Sequence, residues 1–406
     1  MRKAVYKMMN WWMDRGIDGF RMDVITLISK HLDSHGRLPG EVDSELSEGE
    51  IGEEGYTNAS PFCSDGPRLD EFLAEMRREV FEGREGYMNV GEAPGITPER
   101  NEFITNPAHK ELDMLFLFDH VGVDQEGSKW NTVPFEVKNL RARLADQQEA
   151  VRNAGWASLF FCNHDQPRVV SRWGNDTDRE SRELSAKAFG VLLHMHRGTP
   201  YIYEGEELGM TNAHFTTLEQ YRDLESINGY RQRVEEAKCQ SAESMMDALA
   251  LIGRDNARTP MQWDASKYAG FTAPDAATEP WIGVNPNHVE INAAEEFDDP
   301  ESVYSFYKKL IAMRHNNATV ATGEWNLLAA DDEQVYAFTR TGGDDTILVV
   351  VNLTDKSAGL PGEVAELLGD GVAESQILLS TYDVAHGVRS IARGELARWE
   401  GVVIQL

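Results

Sequence analysis

Residues 19–25 read Gly-Phe-Arg-Met-Asp-Val-Ile. This is a strand-like apolar run carrying one carboxylate, Asp23. An ionised Asp is costly to bury in such a run unless it is paired or used. Arg21 lies two residues earlier, so on a strand it shares the face of Asp23 and offers it an opposite charge. The run is preceded by a segment in which Val5, Met8, Met9 and Trp12 recur at helical spacing. Asp14 interrupts that segment, so it reads as an amphipathic helix and not as a signal peptide.

Outward from this run, short apolar stretches alternate with amphipathic ones. The apolar stretches are 19–25, 87–91, 114–118, 157–162 and 199–203. Between them lie helical patterns over 68–82, 137–153 and 179–197. Such alternation predicts parallel βα units. Each strand-like run ends in polar groups: Asp23, Glu92, Asp119 and His120, Asn163 to Asp165, and Glu204 with Glu206. Polar chemistry gathered at strand C-termini is the arrangement of a (β/α)8 barrel. The expected fold is therefore α/β, an incomplete TIM barrel made of about the last five βα units. Residues 205–300 read as a long irregular insertion with a helical piece near 217–236. Residues 302–316 read as an amphipathic helix. From about residue 323 the apolar period changes to two, with strands expected over 335–340, 346–352, 376–383 and 402–406. The expected domains are a partial barrel over 1–322 and a C-terminal β-sandwich over 323–406.

The bulk properties restrict function. The chain has 406 residues and a formal net charge of −29, which argues against nucleic acid and against anionic membrane surfaces. Its three cysteines are widely spaced without a CxxC pair, so no disulfide framework or zinc site is expected. A reducing, cytoplasmic setting follows, and no apolar run is long enough to span a membrane. No cofactor and no metal is expected. The sequence gives no oligomeric state.

Three carboxylates at three strand ends, Asp23, Glu92 and Asp165, suit glycoside hydrolysis. That reaction needs two carboxyl groups flanking the scissile bond, and a third can hold the sugar hydroxyls. His164 is placed to donate to a hydroxyl. Each has a structural alternative at this point: Asp23 in an ion pair with Arg21, and Asn163 to Asp165 as a cap for the following helix. Trp173, Trp263 and Trp281 fit sugar stacking or ordinary packing.

The motifs then identify relatives. Gly19–Lys30 (GFRMDVITLISK), Gly91–Thr97 (GEAPGIT), Asn163–Ser171 (NHDQPRVVS), Thr199–Thr211 (TPYIYEGEELGMT) and Gly253–Asp264 (GRDNARTPMQWD) occur in order. With them the chain resembles the alpha-glucosidases of the alpha-amylase superfamily, in particular the oligo-1,6-glucosidase and dextran glucosidase group. The resemblance implies a retaining exo-alpha-glucosidase acting on short oligosaccharides. By motif match Asp23 is the nucleophile, Glu92 the general acid/base and Asp165 the transition-state stabiliser. Arg21 and His164 match substrate-site residues, Arg254 and Arg258 match a stretch over the site mouth, and Val24 goes with alpha-1,6 preference. Relatives carry three earlier βα units that nothing here matches, so the resemblance also implies a fragment or a misassigned start of such an enzyme and leaves the activity of this chain by itself an open expectation. A trehalose-6-phosphate hydrolase and a non-catalytic carbohydrate-binding protein are the rival expectations.

Overall fold

The computed structural model describes residues 1–109, 111–369 and 371–406, which form two compact units. One comprises residues 1–120 and 146–158; the other comprises 121–145 and 159–406. The C-terminal sheet shares the second unit with much of the preceding α/β chain.

The first unit is built on parallel pairing. Helix α1 (Arg2–Met13) leads into strand β1 (Gly19–Met22), which pairs in parallel with β2 (Met88–Glu92). Strand β2 pairs in parallel with β3 (Met114–Phe116), and Leu115 makes a further parallel bridge to Ala157. Tyr6, Met9 and Met13 of α1, Met22 and Ile25, and Leu69, Leu73 and Met76 of the helix Leu69–Met76 share one buried core. The pattern expected over 68–82 is present but changes pitch. The α-helix ends at Met76, and a wider π-type turn runs over Arg77–Phe81.

Gly19 permits the first pairing. Its φ is +142°, and a Cβ there would stand 1.7 Å from the Met88 carbonyl oxygen. Only a residue without a side chain lets the two backbones approach this closely.

In the second unit the helix Arg179–Met195 starts from an Asp178 cap, whose side chain accepts from Ser181 N. The expected helix over 302–316 is Val303–Asn316, with Ser302 as its cap. The stretch 205–300 is less irregular than its pattern suggests. Besides Leu224–Tyr230 it contains the helix Ala242–Ile252, which carries a core of its own with Met245, Leu249, Tyr221 and Phe215.

The C-terminal part is a five-stranded antiparallel sheet in the order Ile377–Ser380, Gly401–Gln405, Asp345–Asn352, Val335–Gly342, Glu324–Leu328. The two longest strands are joined by the turn at Gly343, whose φ of +64° suits a hairpin reversal. The expected second sheet of a sandwich is reduced to the pair Ala358–Gly359 and Glu395–Leu396. Helices Gly362–Leu368 and Val384–Arg393 supply the remaining cover, through Val364 and Ile391. Residues 347–351 are buried on both faces, so this central strand reads as a continuous apolar run without alternation.

Among the described residues no helix is long and apolar enough to cross a membrane, and no group of three His, Cys, Asp or Glu side chains is placed to hold a metal ion. The cysteines are free: Cys162 is buried, Cys63 half-buried and Cys239 exposed.

Candidate active site

The register of β1 on β2 pairs Met22 with Gly91. The next residues along each strand are Asp23 and Glu92, so parallel pairing alone brings these carboxylates to neighbouring strand ends. Arg21 completes the group. Its Nη2 donates to Glu92 Oε2 at 2.8 Å, and its Nη1 donates to Asp23 Oδ1. Val24 N also donates to Glu92 Oε2, at 3.2 Å. Among the described residues Glu92 Oε1 takes no hydrogen bond. Burial works against the charge on Arg21, but its bonds to Asp23 and Glu92 outweigh it and hold its pKa above the ordinary value.

The two carboxylates differ in setting. The Glu92 side chain is 11% exposed and the Asp23 side chain 76%. Val24 sits in the left-handed region at φ +36°, which is strained for a β-branched residue. This turn aims its N–H at Glu92 as the chain leaves the strand. Behind it, Thr26 Oγ1 donates to Pro94 O at 3.0 Å, and Ser64 Oγ donates to the same carbonyl, anchoring the segment after Glu92.

In the second unit, Asn163 Oδ1 accepts from Asp165 N at 2.7 Å in a local turn that orients Asp165. Arg258 Nη2 donates to Asp165 Oδ1 at 2.6 Å, its Nε to His164 O at 2.8 Å and its Nη1 to Asp223 Oδ1 at 3.3 Å. Arg254 Nη1 lies 3.4 Å from Asp165 Oδ1, and His164 Nε2 lies 3.4 Å from Asp165 Oδ2. The structure thus brings Arg21, Asp23, Val24 and Glu92 together in one unit, and His164, Asp165, Arg254 and Arg258 together in the other.

Three residues in the second cluster escape sequence reading: Lys129, Asp223 and Glu225. Glu225 Oε2 is 2.6 Å from Lys129 Nζ and 2.7 Å from Arg254 Nε. Burial draws the Lys129 pKa below its ordinary value against the pull of Glu225. Asp223 caps the helix Leu224–Tyr230 by accepting from Ser226 N, a signal visible in Asp-Leu-Glu-Ser. Nothing in the pattern marks Lys129.

Trp173 is a core residue stacked on Phe135, whereas Trp263 and Trp281 are exposed. His120 is buried against Gln147. Glu206 is buried, accepts from Tyr307 Oη at 3.1 Å, and is pushed by burial up to about 7. The first unit also holds a cavity of about 330 Å³ lined by Phe81, Tyr87, Asn89, Glu111 and Trp156, none of them among the expected catalytic residues.

The family model for the alpha amylase catalytic domain matches residues 1–323, and that for the maltogenic amylase C-terminal domain matches 325–374. The chain belongs to the alpha-amylase family. It is 41% identical over 409 residues to an oligo-1,6-glucosidase of Parageobacillus thermoglucosidasius, covering 100% of this chain and 68% of that one. It is 42% identical over 387 residues to a glucan 1,6-alpha-glucosidase of Streptococcus pneumoniae, covering 93% of this chain and 65% of the relative. Among solved structures, the trehalose-6-phosphate hydrolase of Bacillus licheniformis superposes with a TM-score of 0.83 at 39% identity, again over 100% of this chain and 68% of the other. The chain therefore spans about two thirds of the length of these relatives. This alpha-amylase family member is a glycoside hydrolase by descent, related to the alpha-glucosidases.

Proposed function

We propose that the protein is a retaining exo-alpha-glucosidase acting on alpha-1,6 bonds of short oligosaccharides. The observation that carries this reading is the single Arg21 guanidinium held between Asp23 and Glu92. It holds two carboxylates at two adjacent strand ends, and a double-displacement mechanism needs such a pair, one to attack the sugar and one to protonate the leaving oxygen. Asp23 attacks the anomeric carbon and forms a glycosyl ester. Glu92 gives its proton to the departing glycosidic oxygen. Glu92, now ionised, takes a proton from water, which attacks the ester and releases glucose with its configuration retained. Asp165, oriented by Asn163 and Arg258, takes the stabiliser's role by its motif match.

The preference for alpha-1,6 bonds rests on Val24 and on the two relatives named for that linkage. Trehalose 6-phosphate is the competing substrate, named for a relative of similar likeness. A phosphate needs cations that are not already neutralised. Here Lys129, Arg254 and Arg258 each face a carboxylate of Glu225, Asp165 or Asp223, which favours the neutral sugar.

The test is to offer the purified protein isomaltose, maltose, sucrose and trehalose 6-phosphate, and to follow the anomeric protons of the released glucose by NMR. Release of α-glucose, fastest from isomaltose, is the expected result. Initial release of β-glucose, or cleavage confined to trehalose 6-phosphate, would overturn the reading.

A further inference from the structure

The parallel strands of the first unit carry polar groups at both ends. Asp23 and Glu92 stand at the C-terminal ends of β1 and β2. Tyr87 and Asn89 lie at the start of β2, Asp113 immediately before β3, and Trp156 immediately before the bridge residue Ala157. These four line the cavity of about 330 Å³. It therefore sits at the opposite end of the sheet from Asp23 and Glu92. Asn89 and Glu92 are three residues apart on one strand, about 10 Å. The volume falls at the small end of the range for small-molecule sites, about 300–1,000 Å³.

Two charged side chains on this cavity lack a protein partner. Glu111 is 8% exposed, and its Oε2 is buried with no hydrogen-bond partner among the described residues. Burial, then the charge of Asp70, pushes its pKa up to about 7. Arg100 and Asp65 also act on it, but Arg100 is already bonded to both aspartates and leaves Glu111 uncompensated. Arg77 is half-buried, and among the described residues its guanidinium makes no ion pair, with Glu111 or with any other carboxylate. Exposed Asp113 already accepts from Asn89 N at 2.7 Å. Phe81 and Tyr87 stack with ring centres 4.8 Å apart, and Trp156 lines the same space. A buried charge without a partner is costly, and aromatic faces attract ammonium groups. The cavity thus holds two charges of opposite sign that one ligand can neutralise.

We propose that this cavity binds a small zwitterion, with its ammonium against Glu111 and the aromatic rings and its carboxylate on Arg77. Neither half of such a ligand suffices alone. A simple amine leaves Arg77 facing a second cation, and a simple carboxylate leaves Glu111 unpaired. A sugar offers hydroxyls to both groups but no charge to offset either. No residue of this site belongs to the Asp23–Glu92 group, so binding does not require hydrolysis.

The test is isothermal titration calorimetry of the 406-residue protein with γ-aminobutyrate and glycine betaine, beside propylamine, butyrate and glucose. Saturable binding of at least one zwitterion is expected, about tenfold or more tighter than that of either half or of glucose. Glu111→Gln and Arg77→Gln should each weaken it by about tenfold or more. Urea unfolding of Arg77→Gln should match the parent, which separates loss of the site from loss of the fold. Both zwitterions keep their charges between about pH 6 and about pH 8, whereas Glu111 ionises near pH 7. Affinity should therefore rise over this interval, and Glu111→Gln should abolish the rise. Absence of saturable binding by both zwitterions, equal binding of propylamine or butyrate, binding of glucose in their place, or indifference to both variants would each overturn the proposal.

Discussion

Arg21 Nη2 lies 2.8 Å from Glu92 Oε2, and the same guanidinium binds Asp23 through its other terminal nitrogen. One planar cation thus fixes the spacing of two carboxylates on neighbouring strands. Lysine keeps the charge but cannot bridge them, because its ammonium is a point charge without a fork. Arg21→Lys should lower kcat on an aryl alpha-glucoside by about 100-fold, comparable to losing one preorganised donor. A change confined to KM would show that Arg21 serves binding alone.

Glu92 and Asp23 should fail differently. Glu92→Gln removes the proton donor, so hydrolysis of isomaltose should fall by about 10²- to 10⁴-fold. An aryl glucoside with an acidic phenol needs little protonation and should be spared in its first step. Asp23→Asn should abolish turnover of both substrates, by at least about 10³-fold. Equal losses for Glu92→Gln on the two substrates would remove it from the acid role.

Glu206 links stability to pH. Its ordinary pKa is 4.5, and burial raises it to about 7 in the folded chain. Between these values the folded state holds a proton that the unfolded state has released, so this group's stabilisation fades as pH rises from about 4.5 to about 7. His194 and His196 act oppositely. Burial lowers them to about 4 and about 3, so the unfolded chain binds protons first and acid weakens the fold. The net profile mixes these effects, and the difference between parent and Glu206→Gln isolates one. The melting temperature of the variant relative to the parent should rise from pH 5 toward about pH 7 and then level off. A pH-independent difference would show that Glu206 does not titrate in this range.

Gly19 should tolerate no side chain. An added Cβ would meet the Met88 carbonyl oxygen at 1.7 Å in a backbone with φ +142°. Gly19→Ala should cost about 3 kcal/mol or more in urea unfolding, combining steric overlap with backbone strain. Gly343→Ala is the control: its φ is +64° and nothing lies within 4 Å of its Cβ position, so about 1 kcal/mol is expected. Similar losses at both sites would mean that β1 can shift away from β2.

The second cluster predicts a coupling. Lys129 and Arg254 share Glu225 Oε2. Removing Glu225 leaves two facing cations, one of them on a largely buried stem. Glu225→Gln should therefore destabilise the protein by about 1 to 3 kcal/mol, and adding Lys129→Met should restore part of the loss. Strictly additive effects in a thermal double-mutant cycle would exclude this coupling.

Local pattern was a good guide where it reflects one element at a time. The periods over 179–197 and 302–316 became Arg179–Met195 and Val303–Asn316, with caps at Asp178 and Ser302. The switch to period two near 323 became an antiparallel sheet. Pattern failed where cover comes from elsewhere. The helix Ala242–Ile252 was hidden in a segment read as irregular, and Val384–Arg393 replaced much of the expected second sheet. The π-type turn over Arg77–Phe81 leaves no trace in apolar spacing.

By itself the sequence determined the alternation of strands and helices, the family and the residue types available for chemistry. These follow from local periodicity and from motifs in fixed order. Tertiary structure decided which groups meet: that parallel register sets Asp23 beside Glu92, that Arg21 divides its fork between them, and that Lys129 reaches Glu225 across 96 positions of chain. It also decided that α1 buries Tyr6, Met9 and Met13 and leaves Val5, Met8 and Trp12 exposed. The physical reason is common to all four. Hydrogen-bond register and side-chain contact are distances in space between segments far apart in sequence, and local periodicity carries no such distance.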